Sequence, residues 1–221
     1  MTTHRRGVDG GPLIVGVIGR AGSGKSTVAA ALAADGARVI DADVLGHQVT
    51  DEDPEVRAAL IADYGPSVYG PNGLERRIVA RAVFRDAAAR ERLNRLVHPR
   101  ILRRIRERVE AWRNEEFRGA IVIDAALLLD WGLERECDLV IAVRAPESVQ
   151  LERLERDRGW DRDEARRRLG VQRPDDELAA AADVVLDNIG SRESLAEAAR
   201  SAVRSRLERR ARGSGSDAPA C

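Results

Sequence analysis

The sequence predicts an α/β fold of three layers, α/β/α: a parallel five-stranded sheet with an inserted helical region and a helical lid. Three observations predict it. Short apolar runs at Leu13–Ile18, Arg38–Ala42, Ala120–Asp124, Leu139–Val143 and Val184–Leu186 alternate with helical patterns, as in a parallel sheet covered on both faces. The second and third runs are separated by roughly 75 residues, far more than a crossover helix needs, so that stretch is an insertion. Charged residues end or follow these runs at Asp43, Asp124 and Arg144, which puts chemistry at the carboxyl edge of the sheet, where open α/β sheets bind ligands.

The first run leads directly into Gly19-Arg20-Ala21-Gly22-Ser23-Gly24-Lys25-Ser26-Thr27. This is a complete G-x-x-x-x-G-K-[ST] phosphate loop, and the helix it requires follows at Val28–Ala34, stopped by Gly36. Its glycines let the backbone turn N–H groups inward, and the helix N-terminus adds roughly half a positive charge. A polyphosphate suits such a cradle, with Lys25 reaching its β and γ phosphates and the Ser26 hydroxyl taking one position on Mg²⁺. Gly22, Ser23, Gly24, Lys25, Ser26 and Thr27 are therefore the nucleotide-binding candidates, and Ser26 is the metal ligand. Lys25 is the sole lysine among 37 Lys and Arg residues. A compact ammonium stands where a planar guanidinium would fit badly.

The second strand runs out at Asp43, which reads either as the base for an incoming hydroxyl or as a cap for the next helix. In the insertion, Pro54 opens a helix to about Tyr64, and Gly65-Pro66 with Gly70-Pro71-Asn72-Gly73 make a turn-rich break. A helix from Glu75 carries Arg76, Arg77 and Arg81. Another, from Asp86 to Val97, is expected to stop at His98-Pro99, because the residue before proline is pushed out of the α region. His98 is either that terminator or a contact for an anionic substrate. The helix from Pro99 to Arg118 is about one-third arginine, most of it a solvated face.

The third strand ends in Asp124, a candidate to face magnesium or to cap. After the fourth, Pro146 and Glu147 start a helix carrying Arg153, Arg156 and Arg158 that breaks at Gly159-Trp160 and restarts at Asp161. An arginine-rich helical pair at this place reads as a lid, about 151–172, that excludes water from a phosphoryl transfer. A covering helix runs from Arg192 to about Arg212.

The chain has 221 residues, 43% hydrophobic and 33% charged, enough for one domain over 12–212: a core of 12–43 and 119–212 with the insertion 44–118. Thirty-seven acids balance 37 bases, so no global field favours nucleic acid or an anionic membrane, and neither is expected as a partner. Cys137 and Cys221 give no disulfide framework, no apolar run reaches about 18 residues, and Met1–Gly11 has no apolar signal core. A cytoplasmic protein is expected. The polar ends, 1–11 and 213–221, are expected to be disordered, and the oligomeric state is left open.

Taken in order, Gly22-Ser23-Gly24-Lys25-Ser26-Thr27-Val28-Ala29, Val39-Ile40-Asp41-Ala42-Asp43, Gly73-Leu74-Glu75-Arg76, Val83-Phe84, His98-Pro99, Leu127-Leu128, Gln150 with Arg153, Gln172, and Ala182 to Asn188 resemble the dephospho-CoA kinase family. The resemblance spans residues 13 to about 205. It implies transfer of the ATP γ-phosphate to the 3′-hydroxyl of the ribose of dephospho-CoA, giving CoA and ADP, the last step of coenzyme A biosynthesis. It further implies Asp43 as the base, Lys25 and Ser26 as phosphate and magnesium groups, and Arg153 as the ATP-contacting lid arginine. Asn188 falls near the adenine, and Arg76, Arg77, His98 and Leu127 fall on the acceptor side. An acceptor that already carries a diphosphate asks for cations there.

Three departures stand out. Arg20 places a bulky cation inside the phosphate loop, expected to point to solvent. Asp130 stands where the family usually has a longer acid. The lid's second arginine falls on Asp157, flanked by Arg156 and Arg158. The readings that compete are another small-molecule P-loop kinase, a nucleotide-gated binding module that transfers nothing, and a nucleic-acid-dependent ATPase using helix 99–118. That helix's arginines are interrupted by Glu107, Glu110, Glu115 and Glu116.

Overall fold

The computed structural model describes residues 11–213, so the expectation for the two ends lies outside them apart from Gly11 and Gly213. The chain divides into two compact units, one formed by residues up to Ile40 together with those from Trp112 onward, the other by Asp41–Ala111.

In the first unit, β1 (Leu13–Ile18) is buried at every position and leads to α1 (Lys25–Ala34) and then β2 (Arg38–Asp41). The chain returns through β5 (Ala120–Asp124) and β6 (Leu139–Arg144) to α6 (Glu147–Arg158), α7 (Arg162–Gly170), α8 (Asp175–Ala181), β7 (Val184–Asp187) and α9 (Arg192–Gly213). The sheet order is β2-β5-β1-β6-β7. β1 pairs in parallel with β5 and β6, and β6 with β7, so the carboxyl ends of these strands share one edge. Alternation sets the layers, because successive side chains of a strand point to opposite faces. Leu13, Val15 and Val17 join Val122, Ile141 and Val143 in a core covered by Val28 and Leu32 of α1 and Leu195, Ala199 and Val203 of α9. On the other face Gly16 leaves room for the segment after β5: a Cβ there would meet Leu128 at 2.8 Å and Cys137 at 3.0 Å.

The second unit runs through α2 (Ala42–Glu52), α3 (Pro54–Tyr64), a 3-10 turn at Pro66–Val68, a hairpin of β3 (Tyr69–Gly70) and β4 (Gly73–Leu74), α4 (Arg76–Arg85) and α5 (Ala87–Asn114), which continues past its boundary. Its polar hub is Asp51, which accepts hydrogen bonds from Leu74 N (2.9 Å) and Arg76 Nη2 (2.7 Å), while Arg76 Nη1 donates to Thr50 Oγ1 at 3.0 Å. That hub fixes the hairpin that the glycine-rich stretch encodes, where the sequence shows only a break.

Helix α5 corrects the expected stop at His98-Pro99: one helix runs through Pro99 and ends at Asn114, short of Arg118. An interior proline removes a hydrogen bond and costs about 3 kcal/mol. Burial on both sides of it, Ala89 and Val97 before, Ile101, Ile105 and Val109 after, outweighs that, since each large apolar side chain is worth about 1.5–3 kcal/mol. Arg100 also lends a side-chain donor to the Leu96 carbonyl at 2.7 Å. Other differences are at element ends. α1 begins at Lys25, β2 stops at Asp41 because Ala42 already belongs to α2, β6 and β7 each extend one residue, and α8 was not expected.

Asp53 caps α3, accepting from the N–H groups of Glu55 (3.1 Å) and Val56 (3.2 Å) and from Arg100 Nε at 3.2 Å. Burial pushes its carboxyl up, but the backbone donors and the Arg100 charge win and hold it below the usual carboxylate range. A depressed carboxyl stabilises the fold above its unfolded pKa of about 3.9 and loses that contribution as pH falls through the folded value. Asp53→Asn is therefore expected to lower the urea midpoint at neutral pH and to flatten its decline in acid, measured by unfolding curves across a pH series.

Candidate active site

The phosphate loop spans the gap between β1 and α1. Its backbone is unusual at Gly22 (φ 75°) and Gly24 (φ 113°), where L side chains are strained. Space closes both positions as well: a Cβ at Gly22 would meet the Gln150 carbonyl at 2.8 Å, and one at Gly24 the Asn188 amide at 2.3 Å. No side chain caps α1, and a helix N-terminus of this kind suits an anion. Lys25 arches back, its Nζ donating to the carbonyls of Gly19 (2.9 Å) and Arg20 (3.3 Å). Ser26, in the first turn, is exposed, and Thr27 N bonds to Gly24 O at 3.0 Å.

Side chains from three other parts of the chain grip this loop, and one of its own reaches out. Arg153 of α6 donates through Nη1 to the carbonyls of Gly22 (2.9 Å) and Ser23 (3.4 Å). Asn188, just beyond β7 and 6% exposed, donates to Ser23 O at 2.7 Å. Gln172, just after α7, accepts from Ala21 N at 2.9 Å. Arg20 corrects the expectation of a solvent-pointing side chain: it is 15% exposed and donates through Nη2 to Leu169 O at 3.0 Å. Leu169 lies in the last turn of α7, and its carbonyl, which also accepts from Gln172 N at 3.1 Å, sits at the helix's negative end, where a cation is favoured. Glu147 and Asp175 each lie 4.0 Å from Arg20 Nη1. Burial pushes the Asp175 carboxyl up, and the Arg20 guanidinium works against that shift. Arg20 escaped the sequence reading because the carbonyl it meets is 149 residues away.

Around this centre, Asp124 is in register with Val17, one residue before β1 ends, and Arg144 at the end of β6 pairs with Asp187 at the end of β7. Hydrogen bonding from Arg144 and its charge hold the Asp187 carboxyl low. Leu127 is 38% exposed on the turn after β5, and Asp130 in the same turn is paired with Arg173 at 2.7 Å. In the α6–α7 pair, Arg156 forms a two-point pair with Asp157 (2.7 and 3.0 Å), whereas Arg158 has no partner among the described residues.

The remaining expected site residues belong to the helical unit. Asp43 sits in the first turn of α2 and is exposed. Capping is done by Asp41, whose Oδ1 accepts from Asp43 N (2.8 Å) and Val44 N (3.1 Å), so Asp43 is not the cap. Arg76 is committed to Asp51 and Thr50, Arg77 is exposed on α4, and His98 is half-buried within α5.

A phosphate loop at a strand end, an uncapped helix behind it, its one lysine over it and an arginine-bearing helical pair strung on it define a P-loop kinase. A family model for dephospho-CoA kinase matches residues 13–194. The dephospho-CoA kinase of Thermobifida fusca is 38% identical over 185 residues, 83% of this chain and 90% of its own. That of Frankia casuarinae is 41% identical over 183 residues, 82% and 78%. A solved structure from Thermus thermophilus matches with a TM-score of 0.73 at 31% identity, covering 88% of this chain and 98% of its own. The dephospho-CoA kinase of Campylobacter jejuni shares the fold at 0.60 and 21% identity, covering 87% and 96%. The chain belongs to the dephospho-CoA kinase family.

Gly22→Ala is expected to abolish measurable ATP binding in calorimetric titration, since neither the Gln150 carbonyl nor the backbone can yield. Arg20→Ala removes a charged hydrogen bond, worth about 1.5–3 kcal/mol, from the loop's outer side. Its KM for ATP is expected to rise about tenfold or more while kcat stays within about threefold, read from initial rates.

Proposed function

We propose that this chain transfers the γ-phosphate of ATP to the 3′-hydroxyl of dephospho-CoA, giving CoA and ADP, through the following division of labour. Phosphoryl transfer asks the protein mainly for position and charge. The loop N–H groups and Lys25 hold the β and γ phosphates. Arg153 spends Nη1 on the loop and keeps Nε and Nη2 donors for the nucleotide. Asn188 acts on the nucleotide by fixing Ser23, next to Gly24 and Lys25.

Mg²⁺ suits the donor set present. Ser26 offers an exposed hydroxyl in the first turn of α1, and no group of three or more His, Cys, Asp or Glu among the described residues forms a cage of its own. That is the pattern for an ion held largely by phosphates and water, which neutralises developing charge when bound. Asp124, in register with Val17 one residue before β1 ends, would orient one of its waters.

The observation that carries the reading is the pair Asp41 and Asp43. Because Asp41 caps α2, the Asp43 carboxylate has no structural duty in the described residues and is exposed just past the end of β2. We assign it the proton of the acceptor hydroxyl. As the ribose oxygen bonds to γ-phosphorus, the bond from γ-phosphorus to the β–γ bridging oxygen breaks, ADP departs, and the proton rests on Asp43. Leu127, Arg77 and His98 are assigned to the acceptor side and Arg76 to holding the helical unit. The α6–α7 pair is the lid. No helix of the described residues is long and apolar enough to cross a membrane, and Cys137 is a buried free thiol. We place the reaction in the cytoplasm, with no nucleic acid partner.

In a coupled assay, ADP formation is expected to depend on dephospho-CoA. Asp43→Asn is expected to lower kcat about 100-fold or more, with KM for ATP little changed. Equal turnover with gluconate or shikimate, or an unaltered kcat in the variant, would overturn the reading.

A further inference from the structure

The arginines of the helical unit divide sharply by whether a partner neutralises them. Arg92, Arg95, Arg100 and Arg104 are ion-paired with carboxylates, Arg76 is held by Asp51, and Arg57 lies over the Tyr69 ring at 4.0 Å while donating to Asp51 O at 3.0 Å. Arg77, Arg81 and Arg85 are different. All three are exposed, and among the described residues none has a hydrogen bond, ion pair or ring contact. They stand at i, i+4 and i+8 of α4, a helix with no carboxylate between Arg76 and Arg85. The acids at its two ends are Glu75 and Asp86, and Asp86 is engaged by Ala88 N and Arg92.

Spacing by four puts the three guanidiniums on one face, about 6 Å apart at their Cβ atoms and about 12 Å from first to last along the axis. The opposite side of the helix is buried through Val79, so the row is held in place by packing on the other face. Ile78, 37% exposed, adds an apolar contact beside it.

We propose that Arg77 and Arg81, extended by Arg85, are the diphosphate-binding row of the acceptor site; this rests on dephospho-CoA being the acceptor. Two adjacent phosphates present closely spaced anionic oxygens, and two long guanidinium arms from one helix face converge on them with forked donors. A row without internal acids is what a dianionic linker needs, because any carboxylate between the arginines would compete for them. The row also reassigns the acceptor contact: it falls to α4's exposed arginines and not to Arg76, which is spent on Asp51.

The test is steady-state kinetics on the full chain with dephospho-CoA varied at saturating ATP. Arg77→Ala and Arg81→Ala are expected to raise KM for dephospho-CoA about tenfold or more, the scale of a lost charge-assisted hydrogen bond. Both kcat and KM for ATP stay within about threefold, and Tm is nearly unchanged, as for an exposed unpaired side chain. Arg81→Lys recovers part of the loss, because it keeps the charge and loses the fork. Arg90→Ala is the control: Arg90 is exposed and unpaired among the described residues, and it lies off the row on α5. A KM for dephospho-CoA within twofold of wild type in Arg81→Ala, or an equal rise in Arg90→Ala, overturns the row while leaving the reaction intact. A wild-type chain whose ATP turnover ignores dephospho-CoA overturns the proposed reaction itself.

Discussion

A phosphate loop can present its N–H groups inward only if the carbonyls it turns outward find partners elsewhere, since a backbone polar group left unpaired away from water is costly. In this protein that constraint organises the whole first unit. Arg153 and Asn188 take the carbonyls of Gly22 and Ser23, Lys25 takes those of Gly19 and Arg20, and Gln172 supplies the acceptor that Ala21 N needs. These side chains come from α6, the end of β7, α1 and the segment after α7. The loop's shape is therefore a property of the folded sheet and its helices, while the motif alone supplies only the freedom to adopt it.

The same bonds limit what can move. Arg20 and Gln172 tie the loop to the end of α7, and Arg153 ties it to the middle of α6. The far turn between those helices, at Gly159 and Trp160, carries no such tie to the loop, and Gly159 sits there in a left-handed conformation.

Arginine serves two purposes in this chain. Many are structural cations that satisfy carboxylates and carbonyls, as Arg76 does at Asp51 and Arg100 at Asp53. A few are left without a partner among the described residues, and they concentrate on α4. Exposed ion pairs contribute little stability individually, so the contrast matters less for folding than for ligands: unpaired cations on a carboxylate-free helix are available to an anion. Division of labour between neighbours appears again at Asp41 and Asp43, where the first caps α2 and the second has no side-chain partner among the described residues.

What the sequence determined by itself was local. Apolar runs specified the five strands to within a residue or two, because burial on both faces leaves few polar choices. The spacing of Gly19, Gly24, Lys25 and Ser26 specified the phosphate loop, because turn, charge and hydroxyl must fall at set intervals. Tertiary structure decided whatever depends on partners distant in the chain. Pro99 reads as a helix end, yet α5 continues, because the burial of Val97, Ile101, Ile105 and Val109 exceeds the local cost of a missing N–H. Arg20 reads as a solvated cation, yet it caps α7, because the carbonyl it meets lies 149 positions away. The three arginines at 77, 81 and 85 resemble any other basic residues in the string, and only folding showed that, among the described residues, no carboxylate comes to meet them.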